Sequence, residues 1–147
     1  MPTGDRRDPF AAFNFTIEID GITRAAFSEC SGLSTNTDPI EYRDGNEDIT
    51  VRKVPGLKKF ANISLKRGMT KDLELWNWRK TVLDGATVRK AGIIVLLNEA
   101  REPVLRWSFK AGWPTKWEGP SVKATGNEVA IGTLEIAHEG LALEAAG

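Results

Sequence analysis

A chain of 147 residues with 41% hydrophobic and 27% charged residues has enough apolar material for one domain with a proper core, since a domain of this size buries roughly 68–70% of its unfolded surface. Such a composition excludes a disordered or membrane-embedded chain. Twenty basic residues balance twenty acidic ones, so no net field draws the protein to nucleic acid or to an anionic membrane surface, and any DNA contact must be local.

The N-terminus Met1-Pro2-Thr3-Gly4-Asp5-Arg6-Arg7-Asp8 carries paired arginines with no apolar stretch behind them, so it reads as neither a Sec nor a twin-arginine signal. Residues 1–8 are expected to form a flexible N-terminal segment. Phe13, Phe15, Ile17 and Ile19 then alternate with Asn14, Thr16, Glu18 and Asp20, the period of a half-buried strand. Asp20-Gly21 favours a hairpin, with the return strand over Ile22 to Glu29. Cys30-Ser31-Gly32-Leu33-Ser34-Thr35-Asn36 reads as a turn or loop, and Ile40 with Tyr42 marks a short strand.

From Asp44-Gly45-Asn46-Glu47-Asp48 to Val54-Pro55-Gly56 the chain is polar at its tip and carries turn residues at both ends, which predicts a long excursion from the body. Ala61, Ile63 and Leu65 mark the strand that returns to the core. Thr70 is placed to cap a helix whose broad apolar face is Leu75, Trp76, Trp78, Val82 and Leu83, and Asp84-Gly85 ends it. The run Ile93 to Leu97 lacks alternation and predicts a strand covered on both faces, one of them by the helix. It is far too short to span a bilayer.

Leu105, Trp107, Phe109, Ala111 and Trp113 alternate cleanly with polar or small residues, so their face belongs to the core. Trp113-Pro114-Thr115-Lys116-Trp117-Glu118-Gly119-Pro120 reads as a loop. In the last strand Val129 and Ile131 sit on one parity and Leu134 and Ile136 on the other, which a bulge near Gly132-Thr133 would reconcile. The fold class is therefore mainly β: a small closed β-barrel or sandwich of roughly seven strands with one flanking helix and a long protruding loop or hairpin, a single domain over 1–147 without internal repeats.

Little here has catalytic character. The lone Cys30 allows no intramolecular disulfide and no metal-ligand spacing, and it suits folding in a reducing cytoplasm. His138 is the only histidine, and a lone strand histidine is ordinarily structural. Cys30 and His138 share no signature of a nucleophile and base, and no phosphate-binding glycine spacing exists. No catalytic, cofactor or metal residue is therefore assigned. The clusters Arg52-Lys53, Lys58-Lys59 and Lys66-Arg67 read as solvated strand edges.

Asp8-Pro9-Phe10 leading into Phe13-Asn14-Phe15, then Phe27-Ser28-Glu29-Cys30-Ser31-Gly32-Leu33, then Glu41-Tyr42-Arg43-Asp44-Gly45-Asn46, resemble the opening of the tail tube proteins of contractile phages and extracellular contractile injection systems. Arg52-Lys53-Val54-Pro55-Gly56-Leu57, Leu75-Trp76-Asn77-Trp78, Gly126-Asn127-Glu128-Val129-Ala130-Ile131 and Ile136-Ala137-His138-Glu139-Gly140-Leu141 continue the resemblance in order. It covers about residues 8 to 141. Gly132 departs from the family pattern, which places a larger polar residue after Ala-Ile.

The resemblance implies a six-stranded or similar closed barrel assembled as hexameric rings that stack into a hollow tube inside a contractile sheath. Implied partners are the chain itself, the sheath protein, baseplate and tube-terminating proteins, and DNA or effector proteins as cargo, with no membrane anchor and no signal peptide. The excursion, Asp44, Gly45, Asn46, Glu47, Asp48, Ile49, Val51, Arg52, Lys53, Val54 and Pro55, is implied to contact the adjacent ring. Exposed strand edges and head-to-tail contacts favour polymers independently. The alternatives are a baseplate-end paralog of the same machine and a soluble ligand-binding barrel.

Overall fold

A computed structural model describes residues 14–25, 27–42, 45, 51–124 and 130–146. Ten strands and one helix follow in order: β1 Phe15–Ile19, β2 Ile22–Ala25, β3 Glu29–Ser31, β4 Thr35–Tyr42, β5 Arg52–Phe60, β6 Ile63–Gly68, α1 Glu74–Leu83, β7 Lys90–Leu97, β8 Pro103–Glu118, β9 Ile131–Ala137 and β10 Gly140–Ala145. Eight strands pair in the order β2-β1-β7-β8-β9-β6-β3 with β10 also on β8, while β4 and β5 pair only with each other.

The long β8 belongs to two sheets. Its first part pairs with β7 and β10, and its second part, from Trp113, pairs with β9. Ala111 adopts φ 53° between them, and Lys90 opposes Gly112 while Gly92 opposes Phe109. Two residues of β8, Lys110 and Ala111, thus face the single Ala91 of β7, a bulge that bends the strand and flips its phase. Phe109 is buried before it, and Gly112 and Pro114 after it.

Each half lays its apolar parity inward. Ile17, Ile19, Ile94 and Phe109 come from one sheet and Ile63, Leu65, Leu134 and Ile136 from the other, with Leu75 and Trp78 of α1 completing a single cluster. The result is a sandwich, one of the two expected architectures. The closed barrel implied by the resemblance is not formed, because the end strands β2 and β3 are only four and three residues long and do not pair with each other.

Several local expectations change. The strand expected over Ile22 to Glu29 stops at Ala25, and the chain crosses to the other sheet, where Cys30 pairs with Leu65 in β3 rather than lying in a loop. The segment Trp113 to Glu118 is strand, not loop. Pro114 is tolerated because the ladder slips by one residue between Pro114 and Lys116, so the missing N–H costs little. The ring of Trp117 packs edge-on against Trp76 at 5.3 Å and 68°, joining strand to helix.

No bulge interrupts β9. Its register to β6 is continuous from Ile131 to Ile136, and Gly132 itself takes the inward position, where a Cβ would lie 2.8 Å from Met69 Sδ. Ile131 is left outside, and Val129 lies beyond the described residues.

Helix α1 begins at Glu74, and its N-cap residue, Leu73, makes no side-chain cap. Thr70 Oγ1 instead accepts from the Asp72 amide at 3.2 Å, and Asp72 Oδ1 accepts from the Glu74 amide at 3.0 Å. Leu75 and Trp78 are buried, Trp76 and Val82 half-buried, and Leu83 exposed. Gly85 closes the helix at φ 80°, as expected. The helix lies against β8 and reaches β2, with Arg79 Nη1 donating to Pro114 O at 3.1 Å. The face of β7 bearing Ile93 and Val95 is only half-buried, so the helix does not serve as the lid expected there.

Candidate functional site

The excursion read from the sequence is the outer end of a two-stranded ribbon that begins earlier than expected, at Thr35, and ends at Phe60. Ile40 opposes Val54, Glu41 opposes Lys53 and Tyr42 opposes Arg52. Pro39 directly opposes Pro55. Two facing prolines forfeit no ladder bonds only at a non-hydrogen-bonded pair, where they also remove outward donors from both edges of the ribbon. Thr37 pairs with Lys58 and Pro39 with Pro55, so an extra residue at Gly56 and Leu57 curves β5.

Of the residues assigned to this surface from the sequence, Gly45 and Val51 are exposed, as are Arg52, Lys53, Val54 and Pro55 in β5. Asp44, Asn46, Glu47, Asp48 and Ile49 lie outside the described residues. The ribbon is more apolar than its polar tip suggested. Ile40 and Tyr42 are each 53% exposed, Val54 43% and Leu57 67%. Ile40 and Tyr42 were legible as a strand, but alternation normally marks a buried face, so the sequence pointed inward.

The root of the ribbon is fixed by a cluster of contacts. Gly32, at φ 87°, lies so close to the next strand connection that a Cβ would fall 1.9 Å from Asn62 O. The Ala61 amide donates to Ser34 O at 3.1 Å, and Asn62 Nδ2 donates to Glu135 Oε1 at 2.9 Å.

Both ring nitrogens of His138 meet backbone groups. Its Nε2 lies 3.0 Å from Ala61 O, and its Nδ1 lies 3.1 Å from Gly140 O and 3.3 Å from the Gly140 amide. The thiol of Cys30 is pushed up from 9.0 to about 11 by burial, which suppresses the thiolate on which nucleophilic chemistry depends. Among the described residues no group of three or more His, Cys, Asp and Glu could hold a metal ion. No helix among them is long and apolar enough to cross a membrane.

A β-sandwich with one packed helix and a detached, apolar-faced ribbon defines a structural, assembling class of protein. The model of the T4-like virus tail tube protein gp19 family matches residues 11–142, and the chain belongs to that family. It is similar to a chain of an extracellular contractile injection system, the PVC sheath–tube complex in its extended state, with 28% identity, TM-score 0.83, and coverage of 94% of this chain and 93% of that one. It is likewise similar to a chain of the anti-feeding prophage tube-terminating cap, with 29% identity, TM-score 0.85 and 98% of each chain covered. Hcp1 from Flavobacterium johnsoniae, at 13% identity and TM-score 0.58 over 90% of this chain and 95% of that one, shares the fold. No curated protein matches the sequence. The chain is thus a homologue of the inner tube proteins of contractile tails and injection systems.

Proposed function

We propose that this protein is the repeating unit of an inner tube, that copies close into hexameric rings, and that the β4–β5 ribbon joins each ring to the next. One observation carries the ribbon's role: among the described residues it has no backbone ladder to the other strands, and it displays Ile40, Tyr42, Val54 and Leu57 to solvent. A clustered apolar surface of this kind marks an interaction site. The stacking surface comprises residues 44–49 and 51–55 at the tip, extended by Ile40, Tyr42 and Leu57 along the ribbon.

The relatives are parts of a sheath–tube complex and a tube-terminating cap, which supports a sheath protein around this tube and a terminating protein on it; a baseplate beneath it completes the same reading. DNA or effector proteins are the cargo of its lumen. The role is structural and not catalytic, in keeping with a histidine engaged on backbone atoms and a thiol held protonated.

Replacing the tip, residues 44–50, by a short Gly-Ser turn tests the stacking role. Fixing a backbone costs on the order of 1–2 kcal/mol per residue, and a polar tip gains little within a lone subunit to offset it. The shortened variant should keep its circular dichroism and melting, form single rings and fail to form tubes under the electron microscope. Long tubes of normal appearance would remove the tip from the interface.

A further inference from the structure

We propose that His138 is a positioning residue for assembly: it pins the root of the β4–β5 ribbon to the sandwich and thereby fixes the direction in which the ribbon projects. This rests on the reading of the ribbon as the inter-ring contact, but the pin itself is measurable without any assembly.

The ribbon shares no strand pairing with the eight-stranded sheet, so nothing in the backbone ladder sets its angle. Its return end, Phe60-Ala61, is where it meets the body, and His138 engages both residues there. The imidazole Nε2 lies 3.0 Å from Ala61 O, and a carbonyl accepts only, so Nε2 carries the hydrogen and donates. Nδ1 lies beside Gly140, 3.1 Å from its carbonyl oxygen and 3.3 Å from its amide nitrogen. This amide is two residues further along the chain, where β10 begins. The role of Nε2 follows from its partner, a backbone carbonyl that can only accept.

The same ring meets two aromatic neighbours. Phe60 of the ribbon lies 5.6 Å away and Phe109 of the core 5.9 Å away between centroids, at interplanar angles of 46° and 47°. His138 therefore contacts both the last ribbon residue and a buried core aromatic, a bridge from the sandwich to the base of the arm. Beside it the ribbon and the body are separated by a groove of about 490 Å³, lined by Lys58 and Phe60 on one side and by Phe109, Lys110 and Leu141 on the other. That open space would let the ribbon tilt if the root were released.

A merely structural histidine and a pin differ in what their loss changes. His138→Phe keeps an aromatic ring beside Phe60 and Phe109 and removes the donor to Ala61. His138→Gln loses the ring but keeps a side-chain N–H donor of comparable reach, and His138→Ala loses both. Nitroxide labels on the exposed residues Glu41 and Glu99, in a Cys30→Ala background and diluted with unlabelled protein, report the ribbon-to-body distance by double electron–electron resonance.

The expected result is a narrow distance distribution for the parent, a broad one for His138→Phe and His138→Ala, and a narrowed one for His138→Gln. The melting midpoint of His138→Phe should fall by no more than about 4 °C, as for one lost hydrogen bond, while its tubes shorten or vanish. An unchanged distribution in His138→Phe overturns the pin. A broadened distribution with tubes of normal length upholds the pin and overturns the inter-ring role of the ribbon.

Discussion

Phe109 and Arg106 belong to one strand but face opposite ways. The Phe109 ring sits between Gly92 and Gly112, where Cβ atoms would come within 2.3 and 2.6 Å of it. Phe109→Ala should cost about 3–5 kcal/mol, as buried aromatic truncations do. Trp107 shares that face but is only half-buried, beside an exposed Leu143 on β10, so Trp107→Ala should cost about 2 kcal/mol. Arg106 holds Glu144 at 3.3 Å on the outer face with both side chains largely in solvent, and Arg106→Ala should cost under about 1 kcal/mol. Urea unfolding of the three variants gives the order directly, and equal effects would contradict the phase of β8.

Cys30 makes a different prediction at the same scale. Its thiol is raised by burial from 9.0 to about 11, so the folded state holds the proton more tightly than the unfolded chain. The stabilisation this brings is complete below pH 9 and is lost as pH rises from about 9 to 11. The parent should lose more stability across that window than Cys30→Ala, and native protein at pH 8 should react with a thiol reagent far more slowly than denatured protein. Fast native labelling would show the thiol to be open.

Among the elements, the strands announced themselves where one face is buried and the other wet. Ile17 and Ile19, Ile63 and Leu65, and Leu134 and Ile136 all lie inward as their alternation requires. Reading failed where the backbone changes phase. Ala111 at φ 53° reverses the parity of β8, and no feature of Phe109-Lys110-Ala111-Gly112 demands it. Proline and glycine between Trp113 and Gly119 then gave the segment the look of a loop, although a slip in register accommodates Pro114 within the strand.

The ribbon was legible as a protruding loop or hairpin but not in its length, from Thr35 to Phe60, because its strands are proline-marked and unsupported by a core. Its root depends on Gly32, which tertiary contact rather than local propensity requires. Gly32→Ala must force a Cβ into Asn62 O at 1.9 Å from a left-handed backbone, and it should cost upwards of about 3 kcal/mol. Gly85→Ala, also left-handed at φ 80° but facing open space, should cost only about 1–2 kcal/mol. Thermal unfolding of the pair separates the two causes. Similar losses would mean that the Gly32 contact relaxes freely.

At the scale of the whole molecule, the family was recoverable from short motifs in their order, and the match over residues 11–142 bears that out. The proposed assembly surface was only half legible. Charged and turn residues marked the tip, whereas Ile40, Tyr42 and Leu57 became informative only when their exposure of 53%, 53% and 67% was known. Apolar residues in a strand point to a core by default, and only the fold reveals that the core is elsewhere.

Negative-stain electron microscopy of the purified, concentrated chain tests the central claim most directly. Rings of six subunits stacked into hollow tubes, formed without any added ligand or template, are the expected result. Particles that remain single subunits at every concentration would contradict a self-assembling tube.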